Sequence, residues 1–444
     1  MATLARQPLS TRRERWAWYL YDFGNSAYAS VVVLAVFSAY FKGVVVGGAE
    51  GSRLWGIGVG IAMLIVAVTS PILGVIADHS GTKKRFLFAF TALSVLFTAG
   101  LYFAEAGMVA LGLTFFILAE VGYRSAQVFY DALLPEIAAP EEMGRISGTG
   151  WAIGTFGGIV ILLLIQPIMA AVGGGTFASR VSLLVTALFW TLAALPIFLW
   201  LPERAKRQPL PPGETYLGLA FKQLRQTIRT SGRFREFIKF VVAFLIYNDG
   251  VMMALDFAAI IGAVLFGMTQ QALVTFVIII QVTNVIGAFT FGWLVDRVGI
   301  KRSLYLAILV MVGAVIALYL AQTQTAFLVV GAVAGFAMAG MQSVSRTAVA
   351  IFAPPGQSAE FYGLFAVAGR TSSFIGPTVY GILAAEVALW LQGQGQAALA
   401  AEQAGQRVAI LSIAVFLLVG LALLTFVNER KAHQVAQEMA LAEA

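Results

Sequence analysis

The stretch "GVIADHSGTKKR" at residues 74–85 recurs as "GWLVDRVGIKR" at residues 292–302. Gly74, Asp78, Gly81, Lys83 and Lys84 match Gly292, Asp296, Gly299, Lys301 and Arg302 at one offset, which Glu142 and Glu360 share. A fixed-register repeat this far apart makes the chain two related halves. What surrounds each copy sets the fold class. Of the 444 residues 59% are hydrophobic and only 11% charged, and a mean hydropathy of +0.86 lies far outside the range of soluble globular proteins. The apolar runs are about 20 to 28 residues long, enough at about 1.5 Å per residue to cross a hydrocarbon core of about 30 Å.

Twelve spans are expected, over about 16–41, 54–78, 86–104, 108–137, 146–172, 180–201, 237–266, 271–296, 303–321, 326–352, 360–391 and 407–428. Lipid offers the backbone no hydrogen-bond partner, so runs of this length are helices, and barrel strands of about ten alternating residues do not fit them. The expected fold is an all-α membrane protein of two six-helix pseudo-repeats. Residues 1–201 form the first bundle and 236–444 the second, joined by a basic segment, 202–235. There Leu217, Phe221, Leu224 and Ile228 fall on one side of a surface helix.

Basic residues set the orientation. Arg6, Arg12, Arg13 and Arg15 precede the first span, Lys83, Lys84 and Arg85 follow the second, Arg297, Lys301 and Arg302 follow the eighth, and the tail holds Arg430 and Lys431. With the cations of 202–235 these lie on one side, against Lys42, Arg53, Arg180 and Arg407 on the other. Both termini are therefore expected in the cytoplasm, and no small-residue cleavage site follows the first run. The net charge of +7 sits in these loops and marks topology, so no nucleic-acid partner is expected. Cysteine is absent and both histidines, His79 and His433, lie outside the spans. No metal site, thiol chemistry or cofactor is expected, and no phosphate-cradling loop marks an ATPase.

Against this apolar background the charged residues within spans stand out, because a charge at the membrane centre costs from about 3 to above 10 kcal/mol unless it is paired or wet. Asp22 lies about 10 Å and Asn25 about 15 Å into the first span. Glu120, Arg124, Gln127 and Asp131 share one face of the fourth, within roughly 60° of arc. Two readings of that stripe stand: a self-neutralising set, with Glu120 paired to Arg124 and Asp131 meeting the loop cations, or a cavity wall. The second half offers Asn248 and Asp249, then Gln342, Ser345 and Arg346, then Arg370 with Ser372 and Ser373. Trp151, in the glycine-rich fifth span, is a further candidate wall.

Two copies of the 74–85 motif, parallel repeats and twelve spans are the pattern of major facilitator transporters. The glycines would permit close helix approach, and the loop bases would meet acids at neighbouring helix ends. Asp78, Lys83, Lys84, Arg85, Asp131, Asp296, Arg297, Lys301 and Arg302 are thus the candidate gate. Within that superfamily "YLYDFGNSAYA" (19–29), "YDALLPEIA" (130–138), "SGTGWAIGTFGG" (147–158), "IYNDG" (246–250) and "SRTAVAIFAPPGQSAEFYGLFAVAGRTSSFIGPTVYG" (345–381) together resemble the vacuole-effluxer-like family, whose fungal vacuolar members are autophagy-related amino-acid effluxers. The chain has Phe23 and Gly24 where that family is expected to carry Trp and Ala, and Arg370 where Lys is frequent.

The resemblance implies a secondary transporter and not an enzyme, an efflux carrier for a small polar or zwitterionic solute, with amino acids as leading class. Substrate contacts are expected from Asp22, Asn25, Arg124, Gln127, Trp151, Asn248, Asp249, Gln342, Arg346, Arg370 and Ser373. Asp22, Asp249 and Glu120 are the candidates for coupling to a proton. A monomer in the inner (plasma) membrane is expected. A lipid or lysolipid flippase of the same fold, and an integral membrane enzyme acting on lipids, are the alternatives.

Overall fold

The computed structural model describes residues 10–204, 215, 218, 235–352, 365, 369, 373–429 and 431, without the side chains of residues 71, 75, 78, 79, 140, 141, 143, 144, 350 and 351. Most of 202–235, and Glu360, Arg370, Ser372, Arg430 and the Asp78 side chain, lie outside the described residues.

Among the described residues, twelve helical spans are long and apolar enough to cross a membrane, and no strand occurs. In chain order the helices are α1 (Arg12–Tyr28), α2 (Gly48–Ser80), α3 (Lys83–Gly100), α4 (Val109–Ala132), α5 (Pro140–Ala171), α6 (Gly175–Trp200), α7 (Arg235–Asp256), α8 (Gln270–Val298), α9 (Ile300–Leu320), α10 (Gln324–Phe352), α11 (Ile375–Gly393) and α12 (Ala398–Thr425). The first span is longer than hydropathy marks it. It starts at a capping box, where Thr11 accepts from the Glu14 amide at 3.3 Å and Glu14 accepts from the Thr11 amide at 2.8 Å. Beyond α1 it continues through π-helical turns at Ala29–Ala35 and Phe41–Val46. α7 likewise breaks at Phe257 and resumes over Ala258–Phe266.

The chain forms two compact units: Met1–Val32, Thr69–Ala104 and Thr114–Phe221; and Val33–Val68, Glu105–Leu113 and Lys222–Ala444. In the first, aromatic rings make the core. Trp18 stacks on Tyr130 with centroids 4.4 Å apart, Tyr28 stacks on Tyr123 at 4.6 Å, and Trp190 of α6 is fully buried. Gly24 lets α1 lie against α6, since a methyl there would sit 2.7 Å from the Ala193 side chain. In the second unit small residues form the seams. Gly56 of α2 abuts the Pro377 carbonyl and Gly60 the Thr378 hydroxyl, Gly381 abuts the Ser52 carbonyl, and Gly287 of α8 abuts the Phe336 carbonyl. Lipid drives no hydrophobic association between helices, so such close backbone approach supplies the packing.

The repeated loop motif takes a form that differs in part from expectation. Gly81 (φ 63°) and Gly299 (φ 85°) adopt the left-handed conformation that turns α2 into α3 and α8 into α9. Gly74 and Gly292, expected to bring helices together, face open space: a methyl on either meets nothing within 4 Å among the described residues. On α2 the close approach is made instead at Gly56, where the facing backbone comes near enough to exclude a side chain, and at Gly60, where the Thr378 hydroxyl does.

Candidate functional site

The polar residues expected in the spans gather into a cluster in each unit. In the first, α4 carries Glu120, 1% exposed, whose Oε1 accepts from Arg124 Nε at 2.7 Å. One helical turn separates them, the spacing at which a carboxylate and guanidinium meet. Arg124 also lies over the Tyr123 ring, 5.3 Å from its centroid, and the Tyr123 hydroxyl accepts from Gln127 Nε2 at 2.9 Å. Across from α4, Tyr28 of α1 stacks on Tyr123. Asn25 Nδ2 is buried and makes no hydrogen bond among the described residues, and the buried Tyr28 hydroxyl lies against the Glu120 carboxylate. Asp22, one turn earlier on α1, is half-buried and lies against Gly154 of α5. Trp151 is half-buried one turn before Gly154.

In the second unit Asn248 and Asp249, 3% and 2% exposed, occupy the middle of α7. Gln342 Nε2 of α10 donates to Asn248 Oδ1 at 2.8 Å, while Asn248 Nδ2 donates to the Gly369 carbonyl at 3.5 Å. Ser373 Oγ donates to the same carbonyl at 3.2 Å. The Gly376 amide of α11 donates to Asp249 Oδ2 at 2.9 Å, and Asp249 Oδ1 is buried with no partner among the described residues. Arg346 of α10 is exposed.

The loop bases of the first motif copy find acceptors. Lys83 Nζ pairs with Glu136 at 3.3 Å, Lys84 Nζ donates to the Leu201 carbonyl at 2.5 Å, and the Lys84 amide donates to Glu203 at 2.9 Å. Burial pushes the Glu203 carboxyl above its ordinary range. In the second copy Lys301 donates to the carbonyls of Thr425 (2.9 Å) and Val427 (2.6 Å), Arg297 lies over the Trp293 ring at 5.0 Å, and Arg85, Asp296 and Arg302 are exposed, as is Asp131.

Several participants carry no mark in the sequence. Arg204 Nη2 reaches both Glu14 oxygens, at 3.0 and 2.8 Å, and Arg15 pairs with Glu142 at 2.9 Å. That guanidinium holds the Glu142 carboxyl below its ordinary range. Tyr28, Gly154 and Gly376 are also new. One signal could have paired the clusters: Tyr21-Asp22-Phe23-Gly24 and Tyr247-Asn248-Asp249-Gly250. Both glycines serve the same purpose, Gly24 seating α1 on α6 and Gly250 seating α7 on α12.

Comparison with known proteins places this arrangement. A family model described as "Vacuole effluxer Atg22 like" matches residues 56–437. The uncharacterized MFS-type transporter YxiO of Bacillus subtilis is 28% identical over 441 residues, 96% of this chain and 97% of that one. Autophagy-related protein 22-1 of Neosartorya fischeri is 27% identical over 267 residues, 54% of this chain and 43% of that one. Among solved structures, a bacterial homolog of the human lysosomal transporter Spinster in an inward-facing, unoccupied conformation superposes with a TM-score of 0.70 over 97% of this chain and 98% of its own, at 14% identity. The nucleoside transporter NupG gives 0.68 over 94% of this chain and all of its own, at 13% identity.

Proposed function

The chain belongs to the vacuole effluxer Atg22-like family of the major facilitator superfamily, and from that premise we propose that it exports a small polar or zwitterionic solute, with amino acids as leading class, by alternating access. It is a multi-pass membrane transporter and not an enzyme; solute, direction and coupling are the proposal. The observation that carries it is a pair of buried polar atoms in mid-helix with no partner among the described residues, Asn25 Nδ2 in one unit and Asp249 Oδ1 in the other. Each is costly in a lipid-embedded bundle unless a solute or proton engages it. Donors and acids together suit a ligand that carries both charges.

In this reading the halves are 1–201 and 236–444, joined by 202–235, with both termini cytoplasmic in the inner membrane of the cell and one chain as the working unit. Asp22, Asp249 and Glu120 handle protons, since neither histidine lies in a span. Arg370 receives the solute carboxylate, for which a guanidinium offers a bidentate fork that Gln lacks. A thermal-shift screen of the purified protein against amino acids, peptides, sugars, nucleosides and lysolipids tests this, because a ligand at 100 times its Kd stabilises by about 2.7 kcal/mol. Stabilisation by amino acids that Arg370→Gln abolishes and Arg370→Lys retains in part supports the proposal. Stabilisation by sugars or nucleosides alone overturns the solute class.

A lipid or lysolipid cargo is the second reading. It would call for an apolar cavity and a lateral opening, and the second unit holds a small cavity lined almost wholly by apolar side chains that include Ile261, Phe276, Met311, Leu318, Phe327 and Met338. A response to lysolipids alone in the same screen would select it.

A further inference from the structure

Each unit seats one aspartate on a glycine. At Gly154 of α5 an added Cβ would lie 2.5 Å from Asp22 Oδ2, 2.8 Å from its Cγ and 3.1 Å from Ser26 Oγ. At Gly376 of α11 it would lie 2.7 Å from Asp249 Oδ1 and 2.7 Å from Met253 Cγ. The carboxyl group thus fills the space that any side chain on that glycine would take. α5 and α11 are the fifth helices of their halves, and α1 and α7 the first, so the same pair of elements makes the same contact twice. The acids stand one residue apart in register, at the second position of Tyr-Asp-Phe-Gly and the third of Tyr-Asn-Asp-Gly.

In the second copy the glycine does more than make room. Gly376 is the second residue of α11, whose cap residue Phe374 makes no side-chain cap. Its amide donates to Asp249 Oδ2 at 2.9 Å. A carboxylate from α7 therefore supplies from outside the acceptor that a helix start requires. Asp249 is 2% exposed and its Oδ1 is the unpaired atom aimed at Gly376.

We propose that Gly154 and Gly376 are positioning residues whose missing side chains form matched sockets, holding Asp22 on α5 and Asp249 on α11. Each acid then travels with the fifth helix of its half, and any residue larger than glycine expels it. The functional weight of the sockets rests on the reading of these acids as solute- or proton-handling groups; the sockets themselves do not.

The test uses the full-length protein in detergent and an apolar carbodiimide, dicyclohexylcarbodiimide, with modified carboxyls located and timed by mass spectrometry. A methyl in a filled site overpacks it, so Gly154→Ala should speed modification at Asp22 by roughly tenfold or more and leave Asp249 at the parent rate, with Gly376→Ala giving the reverse. An unchanged rate at the facing acid, or an equal rise at both acids in either variant, overturns the proposal. If Gly154→Ala alone does not purify, Gly154→Ala with Asp22→Ala decides. Shortening the acid empties the socket, so the double variant should fold and melt with Asp22→Ala, and a double variant as unstable as Gly154→Ala refutes the socket. Proton-driven transport that survives Asp22→Asn and Asp249→Asn would sink the functional reading while leaving the carbodiimide result untouched.

Discussion

Glu120 brings a carboxylate to 1% exposure inside a helical bundle, where Arg124 pairs with its Oε1 at 2.7 Å. Removing one partner of a buried pair costs about 3 to 5 kcal/mol, because the survivor keeps its desolvation penalty. Arg124, at 18% side-chain exposure, retains some access to water. Glu120→Gln should therefore destabilise by the lower end of that range, and Glu120→Gln with Arg124→Gln by less than the two singles together, read by thermal unfolding of the purified variants. Strict additivity would show that the pair contributes nothing as a pair. The pair was legible in the sequence because Glu and Arg four residues apart on a helix must be neighbours. Tyr28 was not. Its place beside Glu120 depends on a stack between α1 and α4, and contacts between helices leave no periodic trace in either strand of sequence. The same limit hid Gly154, read only as one glycine of the glycine-rich fifth span, and Gly376, which appeared only within a family motif.

At the scale of elements, hydropathy marked all twelve spans, since crossing lipid constrains every residue of a span at once. It could not mark the π-helical turns at Ala29–Ala35 and Phe41–Val46 or the break at Phe257, where apolar composition continues while hydrogen bonding changes. Nor could it show how helix ends are fastened. α1 is tied to the start of α5 by Arg15 and Glu142, whose Oε1 also receives Arg145 at 2.7 Å. Because the guanidinium lowers the Glu142 carboxyl from its ordinary 4.5, the folded state binds its proton less readily than the unfolded chain. The stabilisation is complete above about pH 4.5 and is lost as the pH falls through the lowered value. Glu142→Gln should flatten that acid limb when melting temperature is followed in an acid series, and leave the neutral value little changed, as for a pair that water still reaches. An acid limb identical to the parent's would assign it to other carboxylates.

For the whole molecule, reporter fusions test the sidedness that the basic residues imply. Residues 79–85, 140–144, 202–235 and 297–302 should all report with both termini, and an external 202–235 would overturn the orientation. A sharper test comes from the second unit, which joins a piece of the first half to the last helices. Lys42 pairs there with Glu402 at the start of α12, with side-chain exposures of only 9% and 12%. Gln406 one turn on donates to Ser52 Oγ at 2.8 Å and accepts from Tyr380 at 2.8 Å. Arg53 reaches Glu386 of α11 at 2.5 Å. These groups lie where the first span ends, the second begins and the last two meet, so they connect the first repeat to the second on one side of the membrane. A carrier that alternates must part them once per cycle, and a buried pair parts only if water or new partners replace the contact. A cross-link at these positions, long enough to replace the two side chains, should therefore arrest transport. The chain has no cysteine, so Lys42→Cys with Glu402→Cys carries the only two thiols. Bridged in proteoliposomes by a bifunctional methanethiosulfonate reagent, the double variant should lose uptake of the solute found in the thermal screen and regain it on reduction, while each single variant stays active in both conditions. Uptake at the parent rate with the cross-link complete by mass spectrometry would mean that the first and last spans never separate there, and that access changes by some other movement of the helices.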